Sequence, residues 1–344
     1  MRKLFLYVLP TSVFVLPLIA SAHEVYVLDA ATIARDIASV SPDPLSAFYT
    51  NKYQFFLWGF IFFIGFSTIF FMSIFHRFEE AFSPFFTRMK KYAAPVARMT
   101  LGVCLIASAY NGALFGPELP FASFGSAAVT IIPIIFYISG TLITLGLYTR
   151  FAALLLLPVL LLSLIERGTY MPTYANYFGE IFFVIAVGGG LYSLGGNSVR
   201  WMPDSLRTYF HMAERYSWPT LRIGLGISIL FAAIFAKFVH SNLALDTIAQ
   251  YNLDNFFPFD PLFTVLGAFI IESLIGIFFI IGLEIRWNAI FFLFWIFLSL
   301  LYFGEAVWPH LVLIGLNIAF ILHGYDKYSI EGYFFKKRLI EPVL

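Results

Sequence analysis

Residues 140–150 read GTLITLGLYTR, and residues 276–286 read GIFFIIGLEIR. Each segment places two glycines six residues apart in an apolar run and ends on an arginine. An earlier apolar run opens in both cases with Arg-x-x-x-Gly, at Arg98 and Gly102 and again at Arg222 and Gly226. This recurrence predicts an internal repeat: two copies of one membrane unit, over about residues 97–195 and 219–323.

The composition indicates an integral membrane protein. Apolar residues make up 60% of the 344 residues and charged residues 12%, and the mean hydropathy is +0.85. This leaves too little polar surface to solvate a globule of that size, so the expected surroundings are a lipid bilayer. The formal net charge is only +1. Because phosphate binding needs a concentrated basic face, we expect no nucleic-acid partner.

Cysteine content and motifs exclude several kinds of chemistry. Cys104 is the only cysteine, so a disulfide within the chain, a CxxC redox pair and a multi-thiolate metal site are excluded. The sequence contains no phosphate loop, dinucleotide-binding glycine pattern, HExxH or GxSxG. We therefore predict no metal site.

The N-terminus has the pattern of a secretory signal. Arg2 and Lys3 precede an apolar stretch that ends in the small residues at 20–22. We predict a signal peptide over residues 1–22, cleaved after Ala22. Residues 23–52 are of mixed polarity and are predicted to form a periplasmic or extracellular segment.

Hydrophobic segments of nearly bilayer-spanning length follow. The predicted segments are 53–75, 97–115, 127–148, 151–165, 176–195, 219–239, 261–283, 287–304 and 309–323. The predicted fold class is an all-α integral membrane protein with nine transmembrane helices after signal cleavage: one N-terminal helix at 53–75 and two four-helix repeats. Residues 196–218 would form a cytoplasmic linker and residues 324–344 a cytoplasmic tail.

Basic residues predict the orientation, because Lys and Arg accumulate in short cytoplasmic loops. The predicted outer side of the mature chain holds Arg35, Lys52 and Arg167, with Lys237 near a boundary. The predicted inner side holds Arg77, Arg88, Lys90, Lys91, Arg98, Arg150, Arg200, Arg207, Arg215, Arg222, Arg286, Lys327, Lys336, Lys337 and Arg338. We predict a multi-pass protein of the plasma (inner) membrane, with the mature N-terminus outside and the C-terminus in the cytoplasm. An even number of crossings in each copy makes the copies parallel, related by a pseudo-twofold axis along the membrane normal.

Ionisable residues within hydrophobic segments are the candidate functional residues, since a charge at mid-membrane is disfavoured by about 2.5–3.5 kcal/mol on insertion scales. Glu272 lies near the middle of its segment, and Gly276 opens space one turn later. His310 opens the last segment, where a helix N-terminus favours the neutral imidazole. Glu272 and His310 are the candidate catalytic residues. The candidate substrate- or quinone-binding residues are Arg222, Lys237, Glu180 and Glu305. Lys237, Glu305 and His310 are expected to converge on an outward-facing polar cavity beneath residues 240–260.

Each candidate also has a purely structural interpretation. Glu272 would form a structural ion pair with Lys237 or Arg222, Lys237 would extend its ammonium to the interface, and Glu305 would belong to a solvated loop. The arginines at the helix ends, Arg222 among them, would serve as cytoplasmic anchors.

The motif order in the second copy resembles the DoxX/DoxD family of four-helix membrane proteins. The residues that carry the resemblance are Arg222, Gly226, Lys237, Glu272, Gly276, Gly282, Arg286 and His310. The first copy keeps the arginines and glycines but has Phe136 at the position of the glutamate and Tyr174 near that of the histidine. The duplication and the extra helix depart from the simple family pattern.

The resemblance implies a subunit of a quinone-linked oxidoreductase, because DoxD-like subunits form a membrane thiosulfate:quinone oxidoreductase. A quinone is then the expected cofactor, and a periplasmic redox protein or a second membrane subunit the expected partner. Two alternatives stay open. The protein would be a non-enzymatic carrier or assembly factor, or residues 23–52 would dock an exported redox protein while the helices serve as an anchor.

Overall fold

A computed structural model describes residues 27–52, 54–195, 204–304 and 307–335. Over these residues every extended regular element is a helix, and the sole β contact is an isolated bridge between Ala113 and Pro120. Helical segments long and apolar enough to cross a membrane are Arg77–Asn111, Ala128–Leu145, Thr149–Val187, Ser217–Val239, Pro261–Ile281 and Ile285–Phe303. The protein is therefore a helical multi-pass membrane protein with six candidate spans in the described residues. The predicted signal peptide and Glu305 lie outside those residues.

Three helices precede the first unit: α1 (Ala30–Ala38), α2 (Ser46–Thr50) and α3 (Gln54–Met89). Asp29 caps α1, because its carboxylate accepts the backbone N–H of Ala31 at 2.9 Å and of Thr32 at 3.0 Å. Helix α3 continues well past the predicted end at residue 75. Its 36 residues make it about 54 Å long at 1.5 Å per residue, which exceeds the thickness of a bilayer.

The first unit consists of α4 to α8, which are Ala93–Asn111, Ala128–Leu145, Thr149–Leu154, Leu157–Arg167 and Ala175–Val187. The predicted crossing at 151–165 is thus two short helices rather than one. Pro158 stands in the first turn of α7, where the missing N–H of proline does no harm. A 3₁₀ segment, Gly168–Tyr174, leads into α8.

The second unit follows α9 (Asp204–Glu214) and consists of α10 to α14. These helices are Ser217–Ala233, Ser241–Gln250, Pro261–Ile281, Ile285–Phe303 and Val307–His323. Helix α10 continues as a π-helix, Ile234–Val239, before α11 begins. A short helix α15, Ile330–Phe335, ends the described chain.

Glycines bring the first two long helices of each unit into backbone contact. A Cβ added at Gly102 would lie 2.7 Å from the carbonyl oxygen of Gly140, and one added at Gly226 would lie 2.6 Å from that of Gly276. Real Cβ atoms do not approach carbonyls so closely. The motif glycines therefore let α4 cross α5, and α10 cross α12, at a distance that no larger residue permits.

The last helix of each unit packs against the first long helix of the other unit. Helix α8 packs on α10, where a Cβ at Gly224 would lie 2.8 Å from the carbonyl oxygen of Ala175. Helix α14 packs on α4, where Gly315 faces Thr100. The two units thus share one continuous apolar core, in which Leu101 and Leu225 are fully buried.

The bundle has two ends that differ in chemistry. One end, called the arginine face, carries Arg98, Arg150, Arg222 and Arg286 beside the ends of α5, α8, α12 and α14. The other end, called the cap face, carries residues 27–52 together with residues 240–260. Large apolar side chains such as Phe62, Ile131 and Leu301 are exposed on the flanks of the bundle, as expected for lipid-facing surface.

Candidate functional site

On the arginine face, the first unit uses its arginines to bind helix ends. Arg98 Nη1 donates to the carbonyl oxygen of Gly189 at 2.8 Å. Arg150 donates through Nε to the carbonyl of Ile185 at 3.0 Å and through Nη2 to that of Ala186 at 2.9 Å. The last carbonyls of a helix lack intrahelical partners and carry partial negative charge, so a guanidinium stabilises them.

The second unit repeats this arrangement with carboxylates added. Arg222 Nε lies 2.7 Å from Asp326 Oδ2, and its Nη1 donates to the carbonyl of Ile280 at 2.6 Å. Arg286 Nε donates to the carbonyl of Ile321 at 3.0 Å, and its Nη1 lies 3.3 Å from Glu79 Oε2 of α3. These arginines join helix ends and loops into one layer.

From the sequence, Arg222 was named as a candidate substrate-binding residue and, in its structural interpretation, as a cytoplasmic anchor. The structure places it at the opposite end of the helix from Lys237, about 20 Å away at 1.5 Å per residue. Asp326 and the α12 carbonyls engage it there, which is the contact pattern expected of an anchor.

Lys237 and Glu272 are brought together inside the second unit. Lys237 Nζ lies 2.9 Å from Glu272 Oε2, and the two residues are only 4% and 8% exposed. Removing two charges from water costs several kcal/mol for each ion, and only close pairing offsets that cost. The acid singled out in the sequence is thus compensated by the lysine and not by Arg222.

A π-helix carries the lysine of this pair. Residues Ile234–Val239 follow α10 with wider turns than an α-helix, and such turns are frequent at functional sites. Phe238 stacks on Phe269 of α12, with ring centroids 5.2 Å apart. The aromatic contact and the ion pair together hold the end of α10 against α12.

The cap lies directly above this pair. Val27 and Leu28 pack against Leu243 of α11 and against Ala236, which neighbours Lys237. Ser241 Oγ donates to the carbonyl of Pro42 at 2.6 Å, and an ion pair joins Arg35 to Asp246. One alternative from the sequence was that residues 23–52 dock an exported redox protein. In the structure, residues 27–52 of this segment pack on their own chain, next to Lys237.

His310 lies in the first turns of α14, beside α4. It is buried, and the carbonyl of Trp308 accepts a hydrogen bond from Cys104 Sγ at 3.2 Å. The Cys104 sulfur also lies 3.0 Å from the Tyr177 hydroxyl. The start of α14 is thereby tied to α4 and α8.

Glu180 lies one turn beyond Asn176 on α8 and is 1% exposed. Neither of its carboxylate oxygens has a hydrogen-bond partner among the described residues. It is close enough to interact electrostatically with Cys104 and Tyr177. Asn176, in contrast, accepts a hydrogen bond from Ser228 Oγ at 3.0 Å.

The structure adds a polar cluster at the cap end of the first unit that the sequence did not indicate. Tyr174 O–H donates to Glu118 Oε1, and Tyr170 O–H contacts the same oxygen at 3.4 Å. Phe115 stacks on Tyr177 with ring centroids 4.2 Å apart. In the sequence, only the alignment of Tyr174 with His310 indicated this region. Glu118 lies in a loop, where no helical periodicity singles it out.

A second unpredicted cluster lies on the arginine face. Glu331 Oε2 accepts the backbone N–H of Ile285 at 3.1 Å, and Glu284 has a backbone φ of 51°. Burial, reinforced by the neighbouring Glu79, raises the pKa of Glu284 to about 8. Burial and the charges of Glu79 and Glu284 also raise the pKa of Glu331 well above its ordinary value.

Among the described residues, no group of three or more His, Cys, Asp and Glu side chains is arranged to hold a metal ion. Comparison of the chain with known protein families, with curated proteins and with solved structures finds no match.

Proposed function

We propose that this chain is a DoxX/DoxD-like protein of the inner membrane, with nine transmembrane helices and two parallel repeats. Equivalent residues making equivalent contacts support the repeats. Gly102 contacts Gly140 as Gly226 contacts Gly276. The last helix of each unit packs on the first long helix of the other, which is the pattern expected around a pseudo-twofold axis.

The arginine face is then the cytoplasmic face, and the cap face is outward. The support is the accumulation of arginines at one end of the bundle together with the positive-inside rule. In this orientation the Lys237–Glu272 pair belongs to the outward half of the second unit, beneath the cap.

The function that we propose is that of a quinone-linked oxidoreductase subunit acting on a small, sulfur-containing substrate. One observation carries the proposal: the buried ion pair between Lys237 and Glu272, 2.9 Å long. Ionisable pairs inside membrane bundles are costly and mark substrate or proton pathways by default.

The chemistry of these groups fits a quinone. Reduction of a quinone to a quinol adds two electrons and two protons, and the electrons come from the sulfur substrate, directly or through a partner subunit. In that role the Lys237 ammonium would donate a hydrogen bond to a quinone carbonyl oxygen. Glu272 on α12 and His310 on α14 would supply proton-exchanging groups.

The test is quinone reduction by the purified protein in lipid vesicles with thiosulfate as donor. Glu272→Gln keeps the size of the side chain but removes its charge, so we expect it to abolish turnover. Glu166→Gln is the matched control, because Glu166 is exposed on α7, and it should retain the rate of the native protein. Full turnover by Glu272→Gln would overturn the proposed role.

A proton-coupled carrier for a small solute is the second candidate, and the uncompensated burial of Glu180 favours it. A carrier would take up solute into vesicles in response to a pH gradient, without quinone present. Uptake without any quinone reduction by the native protein would select this function over the first.

A further inference from the structure

Glu180 differs from the other buried acids of the membrane bundle. Glu272 has a lysine at 2.9 Å, and Glu79 has an arginine at 3.3 Å. Both oxygens of Glu180 are buried and lack a hydrogen-bond partner within the described part of the chain.

Two arginines of the neighbouring elements have partners other than Glu180. Helix α10 presents Arg222, which pairs with Asp326. Helix α6 presents Arg150, which binds carbonyls at the end of α8. Cys104 of α4 and Tyr177 of its own helix interact electrostatically with Glu180, and both are neutral in their protonated forms.

This environment selects the protonation state of the carboxyl group. An ionised carboxylate without partners in a low-dielectric interior is so costly that the group is neutralised instead. Neither cysteine nor tyrosine supplies a positive charge that would hold the anion. A neutral carboxylic acid at position 180 removes the cost.

Neighbouring hydroxyl and carboxyl groups lead from Glu180 towards the cap face. Tyr177 interacts electrostatically with both Glu180 and Glu118, and Tyr174 donates a hydrogen bond to Glu118. Glu118 is partly exposed at the cap end of the first unit. Solvent at the cap face therefore reaches Glu118. Tyr174 and Tyr177 lie between Glu118 and the interior of the unit, where Glu180 is buried.

We propose that Glu180 is a proton-binding site of the first unit, which holds a proton as a neutral carboxylic acid and exchanges it with the cap face past Tyr177 and Glu118. The proton moves without any change of oxidation state: a hydronium ion at the cap face gives it to the Glu180 carboxylate when the site loads and is left as water, and a water at that face takes it back when the site empties. The site does not depend on quinone chemistry at Glu272.

Infrared difference spectroscopy of the purified full-length protein at neutral pH tests the protonation state. Subtracting the spectrum of Glu180→Gln from that of the native protein should leave the C=O stretching band of a carboxylic acid. The contributions of Glu284 and Glu331 cancel in this difference. The matched variant Glu272→Gln should remove carboxylate bands only, because Glu272 is paired with Lys237.

If Glu180→Gln does not fold, Glu180→Asp keeps the acid and should shift the frequency of the same band. A difference spectrum that contains only carboxylate bands, or no band at all, overturns the proposal. Neither result bears on quinone reduction, which is measured separately.

Hydrogen–deuterium exchange tests the route. After transfer of the native protein to D₂O, the Glu180 band should shift as the acid exchanges its proton, and Tyr177→Phe should slow that shift. Tyr137→Phe is the control, because Tyr137 is 41% exposed on α5. An unchanged exchange rate in Tyr177→Phe would show that the proton does not pass this tyrosine.

Discussion

At the scale of single residues, the central feature is that the buried acids of the bundle differ in whether a cationic side chain pairs with them. Glu272 is neutralised by Lys237 and Glu79 by Arg286, whereas Glu180 has no such partner in the described chain. Since an ionised group in an apolar interior must be compensated, pairing and protonation are the two solutions. The second unit pairs Glu272 with Lys237, and protonation is the solution that we propose for Glu180 in the first unit.

Breaking the Lys237–Glu272 pair should destabilise the protein strongly. Lys237→Met leaves Glu272 as an unpaired buried charge, so we expect a loss of about 3–5 kcal/mol in the free energy of unfolding. Adding Glu272→Gln to that variant should recover part of the loss, because the remaining charge is then removed. A double-mutant cycle in detergent, followed by chemical unfolding, measures both effects. Additive losses would mean that the two side chains do not interact.

The pKa of Glu284 gives the arginine face a pH dependence. Its pKa rises from 4.5 to about 8 on folding, so the folded state binds more protons than the unfolded state between these values. Stability should therefore be greatest below pH 4.5 for this group and fall as pH rises towards 8, by on the order of a few kcal/mol. Thermal unfolding at several pH values should show a flatter profile for Glu284→Gln. The same slope in both proteins would contradict this assignment.

The sequence predicted some of the buried charged residues of the candidate site but not all of their partners. Glu272 and Lys237 stood out because charge is rare in apolar segments, and the structure brings them together. The partner of Arg222 was not predictable, since Asp326 lies in a polar turn where carboxylates are common. In the first unit, Gly190 stands in the equivalent turn, and Arg98 binds backbone carbonyls instead.

At the scale of helices, glycine sets how closely α4 approaches α5 and α10 approaches α12. Gly226→Ala should destabilise the protein by about 1–3 kcal/mol, because the new Cβ has no space beside the carbonyl of Gly276. Gly267→Ala is the control on α12, since a Cβ there meets nothing within 4 Å, and replacing a helical glycine by alanine stabilises by about 0.5–1 kcal/mol. Equal melting temperatures for the two variants would refute the close crossing.

The cap is an element whose attachment is testable. Leu243 is fully buried against Val27 and Leu28, so Leu243→Asp should release residues 27–52 from α11 while the bundle stays folded. Limited proteolysis should then cut within that segment faster than in the native protein. Conversely, an unchanged digestion pattern would mean that other contacts, such as that of Ser241 with Pro42, hold the cap alone.

Helix positions were largely predictable and helix ends were not. Hydrophobicity located α4, α5, α10, α12, α13 and α14 to within a few residues. It missed the extension of α3 to Met89, because the added turns mix charged and aromatic residues and do not read as a membrane span. It also missed the division of the segment at 151–165, where an apolar composition hides the proline in the first turn of α7.

At the scale of the whole molecule, the proposed orientation follows from the arginine face and is open to direct measurement. In a Cys104→Ala background, a membrane-impermeant maleimide applied to spheroplasts should label Asp254→Cys in the loop before α12. It should not label Lys327→Cys on the arginine face until the membrane is broken. Both positions are exposed, so the reverse labelling pattern would mean that the protein is inserted the other way round.

The whole-molecule arrangement was the least predictable from sequence. The repeated motifs predicted two similar units. The packing of α8 on α10 and of α14 on α4, however, depends on contacts between segments that are distant in sequence. No periodicity within one segment reports such contacts. The polar groups consequently fall into layers, with the arginines at one end and the Lys237–Glu272 pair below the cap at the other.

The most direct test of the account is the charge-swapped protein, Lys237→Glu with Glu272→Lys. It keeps an ion pair between α10 and α12, so it should elute from size-exclusion chromatography as the native protein does. With thiosulfate as donor in lipid vesicles, we predict that the native protein reduces quinone and the swapped protein does not, because the proton-exchanging acid has moved to the other helix. A swapped protein that reduces quinone at the native rate would show that the pair is structural only.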